Sequence, residues 1–293
     1  MRIGIIGVGV MGMPIADRLA GAGHDLIVCD VAPEARDRFA GRAGVATTAT
    51  PSTCAAADAV IALVATDQQV RDVSIGNDGV LGAIDPARPP TMIVMSTVGP
   101  STVRELSERL AAVNTPLLDA PISGGLDGAR NGTLSIMVGG RPEVFDRMRP
   151  LFEEIGGSIA YCGPVGHGVT TKILNNLIGV ANWILTAEAM ALGTRLGMDT
   201  AALAAIMDGG SGRNLATGNW PSRQALYRYY VDHPELLAAN RDICRKDLSL
   251  VLELANESGI ALPLTRGLAD AIAGVPSSTL QRIWSEIERP RPE

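Results

Sequence analysis

The chain has 293 residues, 46% hydrophobic and 19% charged, with 25 Lys and Arg against 31 Asp and Glu for a formal net charge of −6. Such a chain is long enough for two globular domains with substantial cores and is not a disordered polymer. It carries no Lys/Arg run that could track a phosphate backbone, which argues against a nucleic-acid partner. Cys29, Cys54, Cys162 and Cys244 lie far apart, as do His24, His167 and His233, so no metal-ligand spacing is visible and no metal is expected. The longest apolar run, Ile178 to Leu192, is interrupted by Asn182, Thr186 and Glu188 and falls short of the ~18 residues of a membrane span. The first strand begins at Arg2 and leaves no room for a signal peptide, so a reduced, cytoplasmic protein without a membrane partner is expected.

The chain opens with a short apolar strand, Ile3, Ile5 and Ile6, followed at once by Gly7-Val-Gly9-Val-Met-Gly12. A helical stretch from Pro14 to Ala20 and a second apolar strand from Leu26 to Cys29 come next, and that strand ends at Asp30. Strand, glycine turn, helix, strand and acid is the order of a dinucleotide site. In that reading Gly7 allows the tight turn, Gly9 lets the backbone approach a pyrophosphate, and Gly12 lets helix and strand pack closely. The helix N-terminus offers unpaired N–H groups and the positive end of its dipole to the phosphates. Asp30 lies about where a ribose-binding acid belongs, roughly 20 residues on. A carboxylate there accepts from the ribose hydroxyls and repels a 2′-phosphate. Val31 and Ala32 follow it, and Arg36 is a helical turn or more away, so NAD is expected over NADP. The alternative is that Asp30 only caps a helix opening near Pro33.

Further strands are expected at Ala59–Val64, Met92–Met95, Pro116–Ala120 and Thr133–Val138, with helices at Thr102–Val113 and Glu143–Ile155. The alternation predicts an α/β domain over residues 1–162, a Rossmann doubly wound, mostly parallel sheet. Beyond Gly163-Pro-Val-Gly166-His-Gly168 the pattern turns helical. One long helix from Val169 to Leu196, ended by Gly197, joins the halves, and helices follow at Thr200–Met207, Asp242–Ser258, Leu264–Gly274 and Thr279–Glu288. Residues 163–293 are therefore expected to form a second, all-α domain for substrate and dimerisation, with an interdomain cleft as the natural place for a substrate. The proline-rich last residues are expected to fray.

Three more motifs carry chemistry. In Asp119-Ala-Pro-Ile-Ser-Gly-Gly125, followed by Gly128 and by Gly132-Thr-Leu-Ser-Ile-Met-Val-Gly-Gly140, Ser123 and the N–H groups of Gly124 and Gly125 can form a concave donor set for a carboxylate. The alternative is a structural turn at a strand end. Lys172 opens the long helix, and Asn175 and Asn176 follow three and four residues later, so an ammonium and two amides share one helix face. Lys246-Asp247-Leu248 on a later helix would by itself be ordinary surface charge.

With these motifs in order over nearly its whole length, the chain resembles the β-hydroxyacid dehydrogenase family. The resemblance implies that Lys172 is catalytic and that Asn176 assists it. Ser123, Gly124 and Gly125 would hold the substrate carboxylate, and Asn175 would also bind substrate. Val10 and Met11 in the glycine turn, the turn Val64-Ala65-Thr66, and Ser96-Thr97 along the nicotinamide ribose would line the cofactor, and Lys246 would close on it. Many members carry Leu-Pro where this chain has Ala65-Thr66. The aromatic residue that often precedes the lysine motif is missing, Leu-Ala-Ala-Asn-Arg standing there instead, and Trp220–Tyr230 is unusual. The first departure alters a cofactor-lining turn; the other two bear on substrate identity rather than reaction type.

The reaction so implied is NAD-linked hydride transfer between the cofactor and a small 3-hydroxy acid, giving a semialdehyde or keto acid, or the reverse. A lysine titrates ordinarily near 10.4, and partial burial with a positive oxidised nicotinamide would lower that enough for proton transfer. The alternatives are an NADPH-dependent reductase of small aldehyde acids such as glyoxylate, succinic or tartronate semialdehyde, an imine reductase, and an NAD-binding sensor without activity. Retention of Lys172 and the Ser123 loop argues against an imine reductase. The long helix is apolar over so much of its circumference that a partner subunit is expected to cover it, giving a homodimer or homotetramer.

Overall fold

The structure, a computed structural model, describes residues 1–287; the expected fraying of the last residues and the end of the last expected helix lie outside them. The chain divides into two compact units, Met1–Lys172 and Ile173–Glu293.

The first unit runs β1 (Arg2–Ile6), α1 (Gly12–Gly21), β2 (Asp25–Cys29), α2 (Pro33–Asp37), β3 (Val45–Thr48), β4 (Ala59–Ala62), α3 (Asp67–Ile75), β5 (Thr91–Val94), α4 (Pro100–Ala111), β6 (Leu117–Asp119), β7 (Ile122–Ser123), α5 (Gly125–Asn131), β8 (Leu134–Gly139), α6 (Pro142–Glu153) and β9 (Gly156–Gly163). The sheet order is β3-β2-β1-β4-β5-β6-β8-β7, with β9 on β8. The first six strands are parallel. β8 runs antiparallel to β6 and β7 and parallel to β9. Chain order reverses between β1 and β4, which makes their carboxyl ends the switch point where doubly wound sheets bind ligands.

The central strands form because nearly every residue is apolar and both faces are covered. Ile3 and Ile5 of β1, with Leu26 and Val28 of β2, enter one core layer, and Ile6, Ile27 and Cys29 enter the opposite one. β4 stops at Ala62, two residues before the expected end, because Val64 has turned to bond Ser96. β3 and β9 carry half-exposed patterns.

The second unit is helical throughout: α7 (His167–Arg195), which begins in the first unit, then α8 (Thr200–Gly209), α9 (Trp220–Asp232), α10 (Pro234–Glu257), α11 (Pro263–Gly274) and α12 (Ser277–Glu286). Its core gathers Trp183, Trp220, Tyr227 and Trp284, and the Tyr227 hydroxyl donates to the Trp183 carbonyl at 2.8 Å. Gly197, at φ +77°, closes α7, and the Met198 N–H returns to the Gly193 carbonyl at 2.9 Å. The units part ten residues beyond the expected boundary (172 against 162) because the first turn of α7 belongs to the sheet: Val169 is buried in a core layer of the first unit.

By length and composition α7 could cross a membrane, with a mean hydropathy of 1.3 over an 18-residue window, which corrects the expectation of no such segment. That expectation stopped at each polar residue, whereas the average absorbs them. Within the protein 44% of the window is buried, and Ile173, Val180, Ala187 and Met190 pack in the second unit's core. The opposite side is bare: Leu174, Ile178, Leu185 and Leu192 are each more than half exposed. At about 100° per residue these four fall within roughly 40° of one line, a stripe about 27 Å long.

Candidate active site

In the first unit the glycine turn lies at the carboxyl end of β1. Gly7, at φ +93°, donates to the Cys29 carbonyl at 2.9 Å, and a side chain there would strike the backbone of Leu63. A Cβ on Gly12 would strike the Gly7 carbonyl. Both glycines are thus demanded by the fold, whereas nothing lies within 4 Å of the Cβ position of Gly9. The bare backbone there opens beside the N-terminus of α1, the cradle a pyrophosphate needs. Val10 is exposed and Met11 half-buried on the same turn.

Asp30 is built into this cradle. One carboxylate oxygen accepts from the Val8 N–H and the other from the Ala32 N–H, both at 2.9 Å, so the acid is tied to the glycine turn. It makes no cap on α2. Arg36 is nearer than its sequence distance suggests: α2 turns it back, and its Nη1 donates to the carbonyls of Asp30 at 2.7 Å and Val31 at 3.1 Å. The spacing argument that set Arg36 apart from the ribose acid is therefore corrected.

At the end of β4, the Val64 N–H donates to Ser96 Oγ at 2.9 Å and Ser96 Oγ donates to the Val64 carbonyl at 2.7 Å, so this buried hydroxyl braces the turn. Thr66 caps α3 in a capping box: its hydroxyl accepts from Gln69, and Gln69 Oε1 accepts from the N–H groups of Ala65 and Thr66. That box gives Ala65-Thr66 a fixed shape. Thr97 follows Ser96 and is half-buried.

Ser123 ends β7 half-exposed, and Gly124 and Gly125 take φ of +126° and +64°, backbone that L side chains rarely adopt. The first N–H groups of α5 have no partner within the helix itself. Asp119, four residues upstream of Ser123, is fully buried, its carboxylate accepting from the Gly166 and Val169 N–H groups at 2.8 Å each. Lys172 stands on α7 one turn later, 8% exposed.

In the second unit, Asn176 Nδ2 donates to Asp247 Oδ2 at 2.7 Å, and its Oδ1 lies 3.4 Å from Nδ2 of the exposed Asn175. Asp247 is 4% exposed, and Lys246 Nζ lies 3.2 Å from its Oδ1. Asp119, Asp247 and Arg36 were given no role by the sequence. The two acids carry a signal that can be read: each follows or interrupts an apolar run on a buried face. A cavity of about 530 Å³ lined by Leu252, Asn256, Ile260, Pro263 and Arg266 contains none of the expected residues. Among the described residues no group of His, Cys, Asp and Glu could hold a metal.

A family model described as the NAD binding domain of 6-phosphogluconate dehydrogenase matches residues 2–163, and one described as NAD-binding of NADP-dependent 3-hydroxyisobutyrate dehydrogenase matches residues 166–280. A 3-hydroxyisobutyrate dehydrogenase of Pseudomonas aeruginosa is 39% identical over 89% of this chain and 88% of its own length. The chain belongs to the β-hydroxyacid dehydrogenase family. Another relative, the 2-hydroxy-3-oxopropionate reductase of Escherichia coli, is 34% identical over 90% of this chain and 88% of its own. The structure of a Mycobacterium tuberculosis 3-hydroxyisobutyrate dehydrogenase with L-serine superposes with a TM-score of 0.77 at 29% identity, covering 98% of this chain and 99% of the other. As a β-hydroxyacid dehydrogenase the protein is an NAD(P)-dependent oxidoreductase of hydroxy acids, and the cradle around Gly9 and Asp30 fits the dinucleotide that this chemistry requires.

Proposed function

We propose that this β-hydroxyacid dehydrogenase oxidises a small 3-hydroxy acid of the 3-hydroxyisobutyrate or L-serine type with NAD, or reduces the corresponding semialdehyde. The observation that carries the reading is the buried Lys172, held one helical turn from the end of the strand that leads to the Ser123-Gly124-Gly125 loop. When bound, the nicotinamide supplies the hydride chemistry. Ser123 Oγ with the N–H groups of Gly124 and Gly125 holds the substrate carboxylate. Lys172 Nζ takes the hydroxyl proton during oxidation and returns it to the carbonyl oxygen during reduction. Asn176, its Nδ2 engaged by Asp247, assists Lys172 from four residues further along the same helix, and Asn175 extends the substrate contacts. Gly7, Gly9, Val10, Met11, Gly12, Val64, Ala65, Thr66, Thr97 and Lys246 would line the cofactor, and Ser96 would shape that lining through Val64.

NAD is favoured because Asp30 keeps its carboxylate oriented by two backbone N–H groups, and a 2′-phosphate beside it would be repelled. Arg36 supports a second reading, NADP-linked reduction of small aldehyde acids, since its guanidinium lies on the Asp30–Val31 backbone. The exposed stripe on α7 supports a homodimer or a dimer of dimers, each copy covering the other's apolar side. Four unpaired cysteines support a reducing, cytoplasmic location.

The test is a panel of 3-hydroxyisobutyrate, L-serine, 2-hydroxy-3-oxopropionate and a cyclic imine, each with NAD(H) and NADP(H). The expected winner is a 3-hydroxy acid with NAD; higher efficiency with NADP overturns the cofactor reading, and turnover of the imine alone overturns the substrate reading. Lys172→Ala is expected to lose about 10²–10⁴-fold in turnover, the usual worth of acid–base catalysis, while still binding NAD. Near-full turnover in that variant removes Lys172 from the mechanism.

A further inference from the structure

We propose that Asp119 is the positioning residue of this site: its carboxylate clamps the first turn of α7 to the end of β6 and so determines where Lys172 stands. The inference rests on the reading of Lys172 given above.

The first N–H groups of a helix have no partner within it and are ordinarily met by a side chain one to three residues away. Here they are met from 47 and 50 residues away, by one oxygen of Asp119 for Gly166 and the other for Val169. A local cap would satisfy the same donors but would leave the helix unattached. This one fastens it to a strand that pairs with β5 on one side and β8 on the other.

The surrounding backbone is cut to the same end. A side chain on Gly168 would collide with the Asp119 and Met137 carbonyls, and one on Gly139 would collide with the Asp119 carboxylate and the Gly168 N–H. The helix start therefore sits in backbone contact with two strands, an approach that only glycine at both positions permits. Four residues beyond Asp119 the same segment becomes Ser123 and the glycine donor loop. Strand β6 thus carries both references of the reaction: the grip on the helix that presents Lys172 and the lead into the loop assigned to the substrate carboxylate. The carboxylate is fully buried, and this desolvation pushes its pKa up to about 6 against the pull of the N–H groups. A charge held at such a site costs stability, which is what a residue kept for placement rather than for folding is expected to do.

The test compares Asp119→Asn with the parent, using 3-hydroxyisobutyrate and NAD. Asparagine keeps the shape but turns an N–H₂ group toward a backbone N–H, so one of the two bonds is lost. Misplacing a catalytic group by about 1 Å costs up to about 10²-fold, so kcat is expected to fall roughly ten- to hundred-fold while KM for NAD stays unchanged. Hydrogen exchange is expected to accelerate at residues 166–172 alone. Should this variant not fold, Val169→Pro deletes the other half of the clamp while Asp119 remains, at a first-turn position where proline is tolerated, and the same split is expected. Parental kcat in these variants, beside an inactive Lys172→Ala, overturns the inference and leaves Lys172 catalytic. Exchange that accelerates throughout the first unit, with KM for NAD rising alongside, makes Asp119 merely structural and also overturns it. An active Lys172→Ala removes the reading of Lys172 and the inference together.

Discussion

The burial of Asp119 predicts a dependence of stability on pH opposite in sign to that of an ordinary paired aspartate. Its carboxyl is pushed up to about 6 from 3.8, chiefly by desolvation, and the groups that oppose this are the backbone N–H groups of Gly166, Val169, Asp119 itself and Gly168. The folded chain therefore holds this proton more tightly than the unfolded chain does. The penalty is fully present above about pH 6, shrinks as the pH falls, and is gone below the unfolded value. A gap from 3.8 to about 6 corresponds to about 3 kcal/mol. Asp119→Asn abolishes the titration. Between about pH 4.5 and about pH 7 the difference in unfolding free energy should move by about 2 kcal/mol in the variant's favour. Urea denaturation followed by far-ultraviolet circular dichroism measures it. Tryptophan emission does not, because Trp183, Trp220 and Trp284 all lie in the second unit and report its unfolding. A difference that stays flat with pH, or a parent that gains on the variant as pH rises, refutes the reasoning.

Gly9→Ala should melt with the parent yet bind NAD more weakly, because its Cβ enters open space at the phosphate cradle. Gly12→Ala drives a methyl into the Gly7 carbonyl and should lose about 1–3 kcal/mol of stability; calorimetry of melting and of binding separates the two. Asp247→Asn keeps the volume beside Asn176 but weakens a hydrogen bond of the charged class, worth about 1.5–3 kcal/mol, so turnover should drop, and unchanged turnover would show that Asn176 needs no such partner. Ile178→Glu combined with Leu185→Glu places charges in the bare stripe of α7, and light scattering should show the assembly falling to the 30.5 kDa chain. A parent already at that mass rules the assembly out.

The parallel strands were legible because two covered faces leave an unbroken apolar run, as in Ile3–Ile6 and Leu26–Cys29, and the glycine turn because two of its glycines meet backbone that admits nothing else. β9 was not. Gly156-Gly-Ser-Ile-Ala-Tyr-Cys-Gly163 has no period of its own and becomes a strand because β8 offers an edge. α9 was missed among its aromatics, and α10 starts at Pro234, eight residues before the expected Asp242, because proline opens a helix that Leu-Ala-Ala-Asn-Arg does not announce. For the candidate site the sequence offered residues but not the hydrogen bonds that hold them. Asp119 meets Gly166 and Val169, Asn176 meets Asp247 and Asp30 meets Val8 across 47, 50, 71 and 22 residues. Spacing along one element says nothing about partners brought together by the fold. Arg36 shows the reverse error, where a short helix shortened a distance that the sequence had seemed to set.

The four thiols differ sharply in how far a reagent can reach them. Cys29, Cys54 and Cys244 are at most 6% exposed. The hydrogen bond shared with Cys29 raises the Cys54 thiol far above its ordinary range, and burial pushes Cys244 up to about 12, so both stay protonated and inert. Cys162, next to the last residue of β9 and five residues before α7, is the partly exposed one. The natural chain is therefore ready for single-site attachment of a dye or spin label without mutagenesis. The tag would sit at the doorstep of the helix that carries Lys172, where a change in that turn during catalysis could be watched in real time.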